Sequence, residues 1–286
     1  MLGEDFSKAR SLWLYPREPM QNFWRAALMT GALFGLFVFL QSFCAILVYT
    51  LGFGGSLYSL RDAASGAAGL PNDQMVTFLR ATVIGMFPAG LPVVLLAVYF
   101  SQFGLPGRRG TVPLQWPKIG VFGWVLILAA FVLVMGLVFN GIFAGLGIDP
   151  TTYQTTAKGL NDAKSQAGIV EKTLADLAQS PQLFIFAMPG VIITAPLVEE
   201  ILFRGILFAG IAKTKLGWPG AVIITAGLWA VAHAGAAPWL FVGILFCMGL
   251  VLGLLLLRFG SLWITIACHT AWNVLSTLVM FSAGTH

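Results

Sequence analysis

The sequence predicts an all-α fold, a bundle of about seven transmembrane helices, from three observations. Of the 286 residues, 58% are hydrophobic and only 9% are charged, whereas soluble domains carry about 25% charged residues. The mean hydropathy is +0.88. Apolar runs recur along the chain, each near the roughly 20 residues with which a helix crosses a bilayer. These features indicate a polytopic membrane protein in the lipid bilayer.

Residues 1–25 precede the first apolar run and mix aromatic with basic side chains. This composition predicts an interfacial segment rather than a cleavable signal peptide. Pro16 and Pro19 interrupt the segment, which argues against one long amphipathic helix.

The apolar runs predict the positions of seven spans. An eighth span would also be compatible with the pattern. The predicted spans are 26–50, 76–100, 119–145, 182–211, 218–235, 239–257 and 261–281.

The basic residues indicate the orientation of these spans, because cytoplasmic connections carry an excess of lysine and arginine. Connections with such an excess alternate with connections without one, and the N-terminal segment is of the basic kind. The N-terminus is therefore predicted to be cytoplasmic, in the cytoplasmic membrane of a cell. The net charge of +5 reflects this topology and not a nucleic-acid partner. The basic residues of the predicted cytoplasmic segments are Lys8, Arg10, Arg17, Arg25, Arg108, Arg109, Lys118, Lys213, Lys215 and Arg258.

The spans fall into two groups around a polar loop at 146–181, in which residues 168–179 are predicted to form a short external helix. Residues 26–145 form three accessory spans, and 182–281 form a four-span core. Glycines four residues apart would permit close helix packing, although the signal is weak in a chain with 33 glycines. These pairs are Gly31/Gly35, Gly141/Gly145 and Gly249/Gly253.

Three charged residues lie inside the fourth predicted span, where each charge costs about 2.5–3.5 kcal/mol on insertion scales. Glu200 and Arg204 are four residues apart and share a helical face, which predicts an ion pair. Glu199 points about 100° away from Glu200, so one arginine does not satisfy both acids. Prolines just before the carboxylates predict a kink that frees backbone carbonyls near them.

Two later spans carry polar residues at a similar depth. A rise of about 1.5 Å per residue places His233, His269 and Asn273 near the level of the two glutamates. His269 and Asn273 also share a face, being four residues apart. Taken singly, each group has a structural explanation, either as a hydrogen bond between helices or as an ion pair. Their common depth on three helices favours a functional site.

The chemistry that fits these side chains is water activation for amide hydrolysis. A carboxylate in a low-dielectric pocket can serve as a general base near neutral pH. A histidine can share the water or bind a metal that polarises it. The asparagine amide is a neutral donor for an oxyanion. Trp229 and Trp263 are interpreted as packing or interfacial residues.

The motifs resemble those of the CAAX prenyl protease family, the CPBP group of intramembrane proteases. The resemblance covers about 182–277 and rests on Glu199-Glu200-xxx-Arg204, Trp229-xxx-His233 and His269-xxx-Asn273. Trp229 stands where phenylalanine is usual. Ser261-Leu262-Trp263 also resembles the family pattern.

The resemblance implies a role for each residue of these motifs. Glu199 and His233 would activate the water, and His269 and Asn273 would hold the oxyanion or position the water. Glu200 and Arg204 would be the orienting pair.

The cofactor is left open by the sequence. Either none is required, or a divalent metal such as zinc is bound, for which Glu199, His233 and His269 could supply three ligands.

We therefore expect an intramembrane endopeptidase that cleaves a peptide or membrane-associated protein, of the prenylated or leader type. Two alternatives use the same residues. Buried glutamate, arginine and histidine also form the relays of proton-coupled transporters. A non-catalytic membrane partner could retain the same fold.

Overall fold

The computed structural model describes residues 22–64, 72–102, 112–149, 177, 180–234 and 239–284. Within these residues the chain is helical and contains no strand. The predicted all-α membrane bundle is thereby confirmed. Most of the N-terminal interfacial segment and of the short helix expected at 168–179 lie outside the described residues. The helices are α1 (Phe23–Leu47), α2 (Leu57–Ala64), α3 (Asn72–Gln102), α4 (Val121–Gly145), α5 (181–212), α6 (Gly217–Ala232), α7 (Trp239–Phe259) and α8 (Leu262–Gly284).

Six of the described helices are long and apolar enough to cross a membrane, which is close to the seven spans expected. The difference is α6, which has only 16 residues and a length of about 24 Å. It ends because the backbone N–H of His233 donates to the carbonyl of Ala230 (3.0 Å), which tightens the last turn. The fifth span is thus shorter than the predicted 218–235, and it ends at one of the candidate site residues.

Helices α1 and α3 form an antiparallel hairpin. At one end, Arg25 at the start of α1 donates from Nη2 to the carbonyl of Phe100 near the end of α3 (3.1 Å). Midway along, Gly85 lets the two backbones approach, because a Cβ there would lie 3.0 Å from the backbone N of Ala45. A basic side chain that binds the last carbonyls of a helix also interacts favourably with the helix dipole.

The charged helix α5 lies at the centre of the bundle. In an 18-residue apolar stretch of α5, 56% of the residues are buried inside the protein, whereas the share in α4 is 11%. Helix α4 therefore faces outward along most of its length. A π-helical turn at Gly190–Thr194 follows Pro189, and a second π-helical segment runs over Glu200–Leu207. Wide π turns inside α-helices occur frequently at functional sites.

The first π turn lies where a kink was predicted, and its freed carbonyls accept hydrogen bonds from α8. Asn273 donates from Nδ2 to the carbonyl of Val191 (2.9 Å), and Thr270 donates from Oγ1 to the carbonyl of Ile192 (3.0 Å). Backbone groups freed in a membrane helix need such partners because lipid offers none. These two bonds fix α8 against α5 beside the carboxylates.

The turn before α8 is tied to the non-helical segment that precedes α4. Ser261 donates from Oγ to the carbonyl of Gln115 (2.7 Å), and Trp263 donates from Nε1 to the carbonyl of Leu114 (2.9 Å). The side chain of Gln115 donates in return to the carbonyl of Gly260 (2.9 Å). The packing role expected for Trp263 therefore includes a hydrogen bond that holds the base of α8.

Of the three glycine pairs noted in the sequence, one lies at a helix contact. A Cβ on Gly249 would stand 2.8 Å from the Cβ of Ala226 on α6, and one on Gly253 would stand 3.1 Å from Val222. The glycines of the other two pairs have open space where a Cβ would lie. Of the three pairs, only Gly249/Gly253 therefore lies at a contact that requires small residues, the contact between α6 and α7.

Replacing Gly249 by alanine is expected to destabilise the fold by about 1–3 kcal/mol, because the added methyl overpacks the α6–α7 contact. The methyl would also press on Nη2 of Arg204, which lies 3.1 Å from its position. The change can be followed as the thermal unfolding temperature in detergent. Gly243→Ala, on the same helix, is the matched control, because a Cβ at this position would meet no atom within 4 Å. Equal unfolding temperatures for the two variants would contradict this account.

Candidate active site

A cavity of about 250 Å³ lies between α5, α6 and α8, close to α3 and α7. Four of the sequence-predicted site residues line it: Glu199, His233, His269 and Asn273. The other two, Glu200 and Arg204, are fully buried beside it. All six are therefore brought together, at one level of the bundle. The rest of the lining is Met86, Val191, Ala195, Trp229, Leu245, Met248, Trp272 and Ser276.

Glu200 and Arg204 form the ion pair that their spacing predicts. Arg204 donates from Nη1 to Oε1 of Glu200 (3.0 Å), and both side chains are completely buried. The guanidinium also lies over the ring of Trp229, with 4.5 Å from Cζ to the ring centroid. Such cation–π contact adds stabilisation when both partners are desolvated.

Glu200 also orients His269. The Nδ1 atom of His269 lies 2.9 Å from Oε1 of Glu200, the oxygen that Arg204 contacts. A carboxylate held by a guanidinium is an acceptor, so the histidine donates from Nδ1–H. Its other nitrogen, Nε2, is then turned toward the cavity and toward Glu199. This arrangement is the one by which carboxylates fix a histidine's tautomer and direction.

Glu199, the acid left over by the ion pair, faces both histidines. Its Oε2 lies 3.8 Å from Nε2 of His269 and 3.9 Å from Nε2 of His233. The carboxylate is 17% exposed, in contrast to the fully buried side chain of Glu200. Adjacent residues on one helix therefore differ sharply in environment, and only Glu199 reaches the cavity.

His233 caps α6 and is held by its own helix. Its Nδ1 lies 2.8 Å from the backbone carbonyl of Trp229, and a carbonyl only accepts. The proton is thus on Nδ1, and in the neutral ring Nε2 is an acceptor that faces Glu199. The same assignment holds for His269. Three acceptor atoms from three helices converge, spaced so that a water molecule could lie between them.

Trp229 was interpreted from the sequence as a packing or interfacial residue, and it also makes polar and ring contacts with the site residues. Its side chain is fully buried, yet its indole Nε1–H donates to Oε2 of Glu199. Its ring makes edge contacts with His233 (5.1 Å between centroids) and His269 (5.3 Å). Two signals pointed to it: its place in the Trp229-xxx-His233 motif, and its position four residues before His233, which puts both side chains on one face of α6.

Asn273 lies at the edge of the cavity, with one N–H donated to the carbonyl of Val191. A side-chain amide carries two N–H donors. The bond to Val191 uses one of them and fixes the side chain, so the second N–H remains available to a ligand in the cavity. The expected position near His269, one turn along α8, is therefore observed.

The zinc ligands considered from the sequence do not fit a metal in this arrangement. Zinc binds nitrogen and oxygen ligands at about 2.0–2.2 Å in a tetrahedron, which places ligand atoms roughly 3.3 Å apart. The separations from Glu199 Oε2 to the two Nε2 atoms, 3.8 and 3.9 Å, are wider. In the described part of the chain, no group of three or more histidine, cysteine or acidic side chains is arranged to hold a metal ion.

Fold and site together define a class: a multi-pass helical membrane protein with two acids and two histidines gathered between its helices. A family model described as type II CAAX prenyl endopeptidase Rce1-like matches residues 181–275, from the start of α5 into α8. This match supports the CAAX prenyl protease (CPBP) family for the matched segment, the family that its motifs resemble. No curated protein and no solved structure gave a significant match.

Proposed function

We propose that the protein hydrolyses a peptide bond with a water molecule activated by Glu199 and His233. The observation that carries this proposal is the position of Glu199, whose Oε2 lies within 3.9 Å of the Nε2 atoms of two histidines. A water held between these atoms donates one hydrogen to the carboxylate and the other to an imidazole. Such a water is polarised for attack from both sides.

In the first step, the water oxygen attacks the carbonyl carbon of the scissile bond as its proton passes to Glu199. Negative charge then develops on the former carbonyl oxygen. The free N–H of Asn273 is the donor proposed for this oxyanion, and His269, whose Nε2 is an acceptor, is proposed to position the water. Donors that are fixed before the reaction stabilise an oxyanion without reorganisation.

In the second step, Glu199 returns the proton to the leaving nitrogen, and the carbon–nitrogen bond breaks. The products are a carboxylic acid and an amine, and the glutamate is regenerated as a carboxylate. Glu200 and Arg204 touch neither reactant in this scheme. They hold His269 in one tautomer and one direction.

The cavity indicates a substrate that places an apolar segment beside the scissile bond. Met86, Leu245, Met248 and Trp272 form much of its wall, and apolar walls with a few polar groups are typical of ligand sites. A membrane-associated peptide or protein, of the prenylated or leader type, suits such a wall. We place the enzyme in the cytoplasmic membrane with its N-terminus in the cytoplasm, from the distribution of basic residues.

The reacting groups all belong to α5, α6 and α8, which supports 182–281 as the catalytic core. The three earlier spans would then be accessory, with one contribution to the site, Met86 of α3 in the cavity wall. The external loop at 146–181 and the interfacial segment at 1–25 complete the proposed organisation.

Removal of divalent metals is expected to leave the activity intact, because the spacing around Glu199 is wider than a zinc site allows. The measurement is the cleavage rate of purified protein before and after incubation with a strong chelator, with elemental analysis for bound zinc. Loss of activity that returns on adding zinc would contradict the metal-free mechanism.

The proposed function is tested by comparing membranes that contain the active protein with membranes that contain Glu199→Ala. Mass spectrometry of peptide termini should find cleavage products only with the active protein. As a defined probe, an internally quenched farnesylated peptide ending in a CAAX sequence is added to proteoliposomes. Equal termini in both membranes, with no cleavage of the probe, would refute the proposal.

A further inference from the structure

Trp229 contacts four of the five charged or titratable groups of the site, all but Glu200. Its indole N–H bonds to the Glu199 oxygen that faces both histidines, and its ring face carries the Arg204 guanidinium. Its edge contacts with the two imidazoles complete the set. The ring is 1% exposed, so these contacts are made without competition from solvent.

Glu199 has two carboxylate oxygens, and the indole selects one of them. Oε2 is the acceptor for Trp229 and also the oxygen that approaches both Nε2 atoms. Without the indole hydrogen bond, this carboxylate is free to rotate about its last torsion, which is broad and roughly two-fold for glutamate. A bond that fixes the rotation therefore determines where the proton acceptor lies.

We propose that Trp229 is a positioning residue of the reaction, whose indole N–H holds the general base Glu199 against the two histidines. This assignment rests on the proposed peptide hydrolysis. It goes beyond packing because it requires one particular atom, Nε1, and not the bulk of the ring.

The proposal is supported by the way Trp229 itself is held. Helix α6 places it one turn before His233, and the carbonyl of Trp229 accepts the Nδ1–H of that same histidine. Backbone and side chain of one residue thus orient the two groups that share the water. Because the indole of Trp229 and the imidazole of His233 both belong to α6, a shift of α6 would change both contacts to Glu199 at once.

The test compares two replacements at position 229 in proteoliposomes. Trp229→Phe removes the N–H and part of the ring, whereas 3-benzothienylalanine at this position replaces the N–H by sulfur and keeps the bicyclic shape. We expect both to lower kcat about tenfold to hundredfold, the effect of losing one hydrogen bond to a charged group. KM is expected to stay close to that of the wild type. Trp124→Phe, on α4 and away from the cavity, serves as the control for a tryptophan replacement.

The substrate is the quenched farnesylated peptide or, if it is not cleaved, a protein identified from the membrane termini. Unchanged kcat in the benzothienyl variant overturns the positioning role, and a loss confined to Trp229→Phe assigns the effect to ring packing instead. Glu199→Gln is assayed in parallel. If it is inactive while both Trp229 variants are normal, only this inference fails; if it retains activity, or the wild type cleaves neither substrate, the proposed hydrolysis fails as well.

Discussion

Replacing Glu199 by glutamine is expected to abolish cleavage, with kcat lowered by about a thousandfold or more, while the protein inserts and folds normally. A positioned general base contributes about 10²–10⁴-fold, and here the same group also returns the proton to the leaving amine. An amide cannot accept that proton. Its oxygen can still accept the indole N–H of Trp229, so the local packing is kept.

The fold should tolerate the change because Glu199 carries no ion pair with Arg204. Its carboxylate is partly exposed to the cavity, and losing its charge leaves no buried cation unpaired. The measurements are single-turnover cleavage of the quenched peptide and the thermal unfolding temperature in detergent. A Glu199→Gln protein with wild-type turnover would exclude this residue as the base. His233→Ala removes the imidazole that is proposed to share the attacking water with Glu199, and it should lower kcat to the same extent.

The ion pair and the common depth of the site were predictable because both depend on helical spacing alone. Glu200 and Arg204 are four positions apart, and this spacing puts them on one helical face whatever the neighbouring residues are. Depth follows from counting residues along a helix. The spare acid was also identified correctly, since one arginine can satisfy only one of two acids that point in different directions.

The role of Trp229 could not be predicted in this way. Its hydrogen bond to Glu199 joins α6 to α5, and the rotation of one helix about its axis relative to another is set by packing, which no spacing rule encodes. The glycine pairs that have open space around them show the same limit, because their spacing suggested helix contacts that the described part of the chain does not contain at those positions. Gly141 and Gly145 have the spacing of a packing motif, yet a Cβ on either would meet no atom within 4 Å among the described residues.

The length of α6 was predicted imperfectly for a related reason. Apolar composition continues past Ala232, and composition alone indicated a span to residue 235. The helix ends earlier because His233 adopts the capping position, with its backbone N–H bonded to Ala230 and its ring bonded to Trp229. A local hydrogen-bond choice thus overrides hydropathy at the site.

Replacing Glu200 by leucine is expected to have the largest effect on stability, a loss of about 3–5 kcal/mol, because it leaves the buried guanidinium of Arg204 without its counter-charge. The pair is completely buried, so water does not replace the lost carboxylate. Nε and Nη2 of Arg204 already have no hydrogen-bond partner among the described residues. The guanidinium is held by the hydrogen bond from Nη1 to Glu200 and by the ring of Trp229. We expect little folded protein in detergent, measured by size-exclusion chromatography and thermal unfolding.

A second replacement separates charge from packing. Combining Glu200→Leu with Arg204→Met removes both charges, and apolar pairs of similar volume often match or exceed a buried ion pair in stability. The double variant should therefore recover most of the folded yield that the single variant loses. Its activity should remain low, because His269 loses the acceptor that fixes its Nδ1–H. Recovery of stability without activity would separate the orienting role of this pair from the water-activating role of Glu199, whereas wild-type stability of the single variant would contradict a buried ion pair.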